Sequence, residues 1–252
     1  MKATSPISSL NSQFAQRAPE PQLYISAIRW AFARFYREFA WTYDSVAAAV
    51  SGGRWGAWGQ AVLPYARGRV LELGCGTGNL QRALAAQSDL WAAGLDASPQ
   101  MLAITRRKLA ASSQPCNLAR AFAQALPFSA TSFDSIVATF PTEYIIDMAT
   151  MAELRRVLRP GGRVVVALEA AFSSDGIYQR LIDLLYRATL QRSPREQPLG
   201  PPVSLLGLHL AELGFMVVER WEPVANNHVH LVIAEYSAGA CSHVVSPAAA
   251  MS

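Results

Sequence analysis

Two spacings of hydrophobic residues alternate along most of the chain. Short apolar runs, typical of buried strands, are separated by segments whose apolar positions recur every three or four residues, as on one face of a helix. Strands alternating with helices predict an α/β fold, in which a mostly parallel sheet is covered by helices on both faces. The predicted strands are 70–74, 91–96, 117–122, 133–140, 163–169, 215–223 and 228–236, and the helices between them lie near 78–87, 98–110, 147–158 and 203–212.

The predicted core, residues 67–236, is preceded by a segment of a different character. Aromatic residues are dense in 21–66, and Ile28, Phe32, Phe35 and Phe39 share one helical face. This pattern predicts an N-terminal helical cap that ends in a shorter helix. Further expectations are flexible tails at 1–20 and 237–252, a helix at 55–66, an inserted helix at 175–191 and a Pro-rich loop at 193–202.

The composition excludes several classes of protein. Hydrophobic residues make up 51% and charged residues 16% of the 252 positions, which predicts a sizeable buried core. The net charge of +4 comes without a basic run, so no nucleic acid partner is expected. Three distant cysteines, without a CxxC pair, predict neither a metal site nor a disulfide framework. Without an apolar run long enough for a signal or transmembrane segment, the expectation is a cytoplasmic protein.

The segment with the most chemical information runs from Glu72 to Gly78. Its glycines, Gly74, Gly76 and Gly78, follow an apolar strand and precede a helix, where ligands approach the backbone in α/β folds. The spacing is G-x-G-x-G, with Asn79 where a dinucleotide fingerprint needs its third glycine. The spacing therefore disfavours a dinucleotide, and the P-loop pattern is also missing.

Asp96 ends the next predicted strand, about 20 residues beyond the glycine loop, where a carboxylate can bind ribose hydroxyls. Alternatively, Asp96 is only a turn residue before Ser98 and Pro99, which are suited to begin a helix. Because the glycine loop lies at the expected spacing before Asp96, the ribose interpretation is favoured.

Four motifs in this order resemble class I S-adenosylmethionine (SAM)-dependent methyltransferases, especially the branch that includes the quinone-biosynthesis C-methyltransferases. They read VLELGCGTGNL, GLDASPQML, ALPFSATSFDSIVATF and RRVLRPGGRVVV. The resemblance covers about residues 40–236 and implies a Rossmann-like three-layer sandwich, with a seven-stranded sheet whose last strand is antiparallel. It implies SAM as cofactor and S-adenosylhomocysteine as product. The cofactor-binding residues that it implies are Glu72, Gly74, Cys75, Gly76, Gly78, Asp96, Ala97, Met101, Ala123, Gln124 and Phe140.

One position departs from the family pattern. Phe122 stands where these enzymes usually have an acid that accepts a hydrogen bond from the adenine amino group. Backbone groups near Ala123 and the side chain of Gln124 remain as candidates for that contact. SAM binding is still expected, but how adenine is held stays open.

The methyl acceptor is expected above the end of the fourth strand. Glu143 and Tyr144 are candidate catalytic residues, and these two with Tyr43 and Pro141 are candidates to bind the acceptor. Each also has a structural explanation, as a carboxylate at a helix start or as packing aromatics. The aromatic cap favours a small apolar or aromatic acceptor.

Several properties remain open at this level. The alternatives to a methyltransferase are a catalytically silent SAM-binding subunit and an NAD-type oxidoreductase. Neither the acceptor atom nor the choice between monomer and homodimer follows from the sequence. His228 and His230 lie on the last predicted strand, and we expect both to be structural.

Overall fold

The computed structural model describes residues 53–172, 203–224 and 227–236. Most of the predicted cap, both predicted tails, the inserted helix at 175–191 and the Pro-rich loop lie outside these residues. The core of the predicted α/β fold lies within them.

Seven strands form one mixed sheet, and their order confirms the predicted fold. The order is β3-β2-β1-β4-β5-β7-β6, in which β7 runs antiparallel to both of its neighbours and the others are parallel. Their bounds are β1 Arg69–Leu73, β2 Trp91–Asp96, β3 Leu118–Arg120, β4 Phe133–Thr139, β5 Leu158–Phe172, β6 Phe215–Val224 and β7 Asn227–Tyr236. The order reverses between β1 and β4, and this reversal is where α/β sheets bind ligands.

Helices cover both faces of the sheet. The described α-helices are α1 Trp55–Gly59, α2 Asn79–Ala85, α3 Pro99–Ala111, α4 Met148–Val157 and α5 Leu205–Glu212, with 3₁₀ turns at Gln60–Tyr65 and Glu143–Ile146. One apolar cluster joins the sheet to α4 and α5, and a second joins the other face to α1 and α2. The strands β1, β4 and β5 contribute buried residues to both clusters, which explains their nearly continuous apolar sequences.

Two elements differ from the sequence-based boundaries for identifiable reasons. The helix predicted at 55–66 changes from α to 3₁₀ geometry at Gln60, and Pro64, which lacks an N–H, lies in the 3₁₀ part. The fifth strand begins at Leu158 rather than at Arg163, because Leu158 already pairs with Phe133. No helix among the described residues has the length and apolar composition needed to span a membrane.

Candidate functional site

The glycine loop connects β1 to α2 in a conformation that requires glycine at three positions. Gly74, Gly76 and Gly78 have φ angles of +66°, +53° and +81°, in the region that residues with a Cβ avoid. Space is also limited, since a Cβ on Gly74 would lie 2.7 Å from Tyr144 Oη and one on Gly78 would lie 2.5 Å from Thr105 Cγ2. The predicted turn is therefore required by both backbone conformation and packing.

Asp96 fixes the middle of this loop. Its Oδ2 accepts a hydrogen bond from the N–H of Gly76 at 2.8 Å, and its Oδ1 accepts one from the N–H of Ser98, also at 2.8 Å. Burial raises the pKa of Asp96 above its ordinary value, against the opposing effect of these two bonds. Because each carboxylate oxygen can accept more than one hydrogen bond, Asp96 can hold the loop and still accept from a ligand hydroxyl.

Glu72 is the most unusual polar group of the site. Its side chain lies on β1 two residues before the loop, it is only 2% exposed, and its Oε2 has no hydrogen-bond partner among the described residues. Burial, and secondarily the charge of Asp96, raise the pKa of Glu72 well above its ordinary value. A buried carboxyl oxygen without a partner is costly, and a ligand that brings a positively charged donor would remove that cost.

These observations agree with the cofactor that the sequence implies. SAM carries an ammonium group, from which the unpartnered oxygen of Glu72 can accept a hydrogen bond. It also carries a ribose diol, from which the remaining lone pairs of Asp96 can accept hydrogen bonds. Cys75 is buried in the loop, and its backbone N–H donates to Leu95 O at 2.9 Å, which ties the loop to β2. Burial, followed by the charges of Glu72 and Asp96, raises the pKa of the Cys75 thiol well above its ordinary value against a hydrogen bond with Thr105, so the thiol stays protonated near neutral pH.

The predicted adenine side is partly occupied by contacts within the protein. Met101 and Ala123 are buried, as adenine-contacting apolar residues would be, and Ala97 is exposed beside Asp96. The side-chain amide of Gln124, however, donates to Asp147 Oδ2 at 3.0 Å. The adenine contact predicted for Gln124 would therefore compete with this bond.

Phe122, the departure from the family pattern, is 69% exposed and does not fill the space of the missing acid with a packed ring. Two groups on α4 fix the segment that follows it. Glu153 Oε2 accepts from the N–H of Leu126 at 2.6 Å, and Arg156 donates to the carbonyl oxygens of Phe128 and Leu126 at 2.7 and 3.0 Å. Sequence reasoning missed this clamp, although an i, i+3 pair of opposite charge is visible in the sequence.

The predicted acceptor side lies at the end of β4. Phe140 has a φ angle of +48°, its N–H donates to Ala167 O at 2.7 Å, and its ring packs on Trp55 at 4.5 Å between centroids. Glu143 is exposed and Pro141 is half-buried. Both lie beside the edge of the sheet where the loop is, and Tyr43 lies outside the described residues.

Tyr144, a predicted acceptor residue, also contacts the glycine loop where the cofactor is predicted to bind. Its hydroxyl donates to Leu73 O at 3.3 Å and lies against Gly74. Burial, followed by the charges of Asp96 and Glu72, raises the pKa of Tyr144, so the phenol stays protonated and can only donate or accept a hydrogen bond near neutral pH. A role as general base is therefore disfavoured.

A second polar group lies on β5, β6 and β7, and we name Glu169, His230 and Glu219 the distal cluster. Glu219 Oε2 lies 2.8 Å from His230 Nε2, and Glu169 Oε1 lies 3.7 Å from Nδ1. His230 is buried, and Glu219 Oε1 also accepts from the N–H of Ser204 at 3.0 Å before α5. These contacts join three strands and a helix start, as expected for a structural histidine. His228, on the same strand, is half-buried.

Within the described part of the chain, no three His, Cys, Asp or Glu residues are arranged to hold a metal ion. The polar groups of the loop edge are carboxylates, backbone amides and one phenol. This set suits an organic ligand with hydroxyl and ammonium groups.

The fold and the acidic glycine loop define the class to which this chain is similar. Residues 70–162 match the family model described as a methyltransferase domain. This confirms the predicted resemblance to class I SAM-dependent methyltransferases.

Particular relatives make the similarity more specific. The chain is 35% identical over 133 residues to the ubiquinone/menaquinone biosynthesis C-methyltransferase UbiE of Geotalea daltonii, over 49% of this chain and 57% of the relative. It is 38% identical over 136 residues to the demethylmenaquinone methyltransferase of Thermus thermophilus, over 52% and 58%. The chain thus spans less than two thirds of the length of either relative.

A solved structure supports the fold. A Haemonchus contortus N-methyltransferase in complex with phosphomonomethylethanolamine and S-adenosylhomocysteine superposes with a TM-score of 0.55 at 14% identity, over 80% of this chain and 60% of that one. At this identity the match concerns the fold alone. None of these comparisons favours the oxidoreductase alternative.

Proposed function

We propose that this protein is a SAM-dependent methyltransferase that methylates a small apolar or aromatic molecule. The observation that carries the proposal is a pair of carboxyl groups at the glycine loop, of which Glu72 is buried and Asp96 is half-buried. Asp96 is held by two backbone amides, whereas Glu72 keeps one oxygen without a partner among the described residues. A ligand with a ribose diol and an ammonium group matches both, and the relatives named above are methyltransferases.

When bound, SAM supplies an electrophilic methyl group on its sulfonium, and the chain's own residues supply alignment. Glu72 would hold the ammonium, Asp96 the ribose, and the glycine loop the space for close approach. Alignment of the acceptor behind the methyl carbon and exclusion of water can contribute about 7–11 kcal/mol to the lowering of the barrier. A dedicated base is therefore optional.

For the acceptor, the names of the relatives favour a quinone-like ring. The rings of Phe140, which follows β4, and Trp55, which packs on it, are consistent with a flat apolar molecule. Within this proposal Glu143 and Pro141 contact the acceptor. The Tyr144 hydroxyl, which donates its one hydrogen to Leu73 O, accepts a hydrogen bond at the boundary between acceptor and cofactor. Tyr43 stays a predicted acceptor contact. A monomer or homodimer in the cytoplasm, with no nucleic acid partner, also stays a prediction.

Calorimetric titration with SAM, S-adenosylhomocysteine and NAD tests the cofactor assignment. We expect micromolar binding of the first two ligands and none of NAD. Asp96→Ala should abolish binding, because it removes the ribose contact and releases the N–H of Gly76. Asp89→Ala is the matched control, since Asp89 is an exposed carboxylate before the other end of β2.

Binding of SAM that is lost in Asp96→Ala and kept in Asp89→Ala would support the site. If the wild-type protein binds neither SAM nor S-adenosylhomocysteine, the proposed function is wrong. If it binds both but transfers no methyl group to quinols, phenols or lipids, the catalytically silent alternative becomes the better explanation.

A further inference from the structure

Thr105, on α3, makes a hydrogen bond that reaches out of its helix into the glycine loop. The side chain is fully buried, and its hydroxyl lies 2.7 Å from Gly76 O and 3.1 Å from Met101 O. A hydroxyl has one hydrogen to donate, and the shorter contact is the one with the loop. A helical threonine commonly bonds only the carbonyl four residues earlier, so the contact with Gly76 needs a separate explanation.

The loop depends on Thr105 at a second point as well. The Cγ2 of Thr105 occupies the space beside Gly78, where a Cβ would approach to 2.5 Å. Together with Asp96, which accepts from the N–H of Gly76 at 2.8 Å, Thr105 fixes both polar backbone groups of Gly76. Because glycine has the widest conformational freedom of any residue, these two bonds supply the restraint that the loop's own sequence lacks.

We propose that Thr105 is a positioning residue of the cofactor site, which holds the glycine loop in the conformation that binds SAM without touching the ligand. This inference rests on the proposed function. Its physical basis is preorganisation: a loop already fixed before binding loses less conformational freedom when the ligand arrives. Thr105 and Asp96 act on opposite sides of the same glycine, so they restrain the loop from α3 and from β2.

The test compares Thr105→Val, which keeps the shape and removes the hydroxyl, with Thr105→Ser, which keeps the hydroxyl. Thr150→Val is the matched control, because Thr150 is also a fully buried helical threonine and its hydroxyl has no hydrogen-bond partner among the described residues. The Kd for S-adenosylhomocysteine is measured by calorimetry well below each variant's melting temperature, so that the stoichiometry reports the folded fraction.

We expect Thr105→Val to raise this Kd about 10-fold, which corresponds to about 1.4 kcal/mol, at unchanged stoichiometry. Thr105→Ser should stay within about 3-fold of the wild type and Thr150→Val within about 2-fold, both small on the same free-energy scale. A merely structural role of Thr105 would lower the melting temperature without changing the Kd of the folded protein. If Thr105→Val does not fold, Thr105→Ala removes the same hydroxyl and should raise the Kd at least as much.

A wild-type protein that binds S-adenosylhomocysteine, together with a Thr105→Val variant that binds it within about 2-fold of the wild-type Kd, would overturn the positioning role and leave the proposed function intact. An equal loss of affinity in Thr150→Val would also overturn it, because the effect would then belong to any buried helical threonine. A wild-type protein that does not bind the ligand would overturn the proposed function and this inference with it.

Discussion

Replacing Glu72 with Gln should stabilise the protein and weaken its binding of S-adenosylhomocysteine at the same time. In the unfolded chain the pKa of Glu72 lies near the ordinary glutamate value of 4.5, and burial in the folded protein raises it well above that value. A raised folded pKa contributes stability that is fully present below the unfolded pKa and is lost as the pH rises toward the folded pKa. The wild-type protein therefore loses stability over this window, and Glu72→Gln does not.

The size of this effect has an upper limit that does not depend on the folded pKa. Each pH unit between the unfolded pKa and the working pH contributes about 1.4 kcal/mol, so the gain from Glu72→Gln is at most about 3.4 kcal/mol at pH 7. At about 2–4 °C per kcal/mol for a protein of this size, the melting temperature should rise by up to about 14 °C at pH 7. It should hardly change at pH 4.5, where the carboxyl of the unfolded chain is still half protonated.

Ligand binding should show the opposite sign. The ammonium of S-adenosylhomocysteine favours ionised Glu72, so binding should release up to one proton where the pH lies below the raised pKa. A hydrogen bond between charged partners is worth about 1.5–3 kcal/mol, so Glu72→Gln should raise the Kd about 10- to 100-fold. Proton release is measured by calorimetry in buffers of different ionisation enthalpy between about pH 5.5 and 7, below the range where an α-amino group titrates.

The control is Asp89→Asn, which replaces an exposed carboxylate outside the site, before the other end of β2. It should change neither the Kd for S-adenosylhomocysteine nor the number of protons released on binding. The reasoning would be refuted if Glu72→Gln melted no higher than the wild type at pH 7 and bound S-adenosylhomocysteine equally well without a change in proton release.

Two further predictions concern the loop and the distal cluster. Gly78→Ala should abolish binding of S-adenosylhomocysteine, because the new Cβ would clash with Thr105. The control is Gly161→Ala: Gly161 also has a positive φ, +77°, but a Cβ there would have no neighbour within 4 Å. Thermal melting should show that Gly161→Ala only lowers stability, by about 1 kcal/mol. For His230, burial lowers the pKa but the two carboxylates of the distal cluster outweigh it and raise the pKa above 6.5. The melting temperature of His230→Gln relative to the wild type should therefore be lowest near pH 5 and should recover as the pH rises through the raised pKa; a difference that is constant from pH 5 to 9 would contradict this.

The elements of the sheet could be predicted because their signals are local. Apolar runs marked the strands, and Ser98 with Pro99 marked the start of α3, where the Ser98 hydroxyl accepts from the N–H of Met101 at 3.3 Å. The end of β5, predicted at 169 and observed at Phe172, could not be predicted from local sequence. A register shift between Ala167 and Glu169 leaves an extra residue in β5, and such a bulge depends on the partner strand rather than on the sequence of β5 alone.

The parts of the candidate site that belong to a sequence motif could be predicted. The parts that depend on contacts between distant segments could not. The spacing of the glycines and the acid at Asp96 indicated the cofactor loop. Nothing in the local sequence indicates that Gln124 makes a hydrogen bond with Asp147. The same holds for the hydrogen bond from Thr105 to Gly76, which lies 29 positions earlier in the chain. These contacts depend on the packing of α3 and α4 against the sheet, which single-sequence patterns do not encode.

The two acids of the loop show how one site can combine stability with binding. Asp96 has both oxygens engaged by backbone amides, so its carboxylate contributes to the loop's order before any ligand arrives. Glu72 is buried with an oxygen that no described residue satisfies, so it lowers stability until a cation binds. Strain of this kind is tolerated in binding sites because the ligand relieves it. It follows that Asp96→Ala, which leaves the N–H groups of Gly76 and Ser98 without their acceptor, should lose both affinity and stability. Glu72→Gln should lose affinity while gaining stability. Both variants should lose binding, but their melting temperatures should change in opposite directions. This difference would distinguish Asp96, which stabilises the loop, from Glu72, whose free oxygen is satisfied only when the ligand binds.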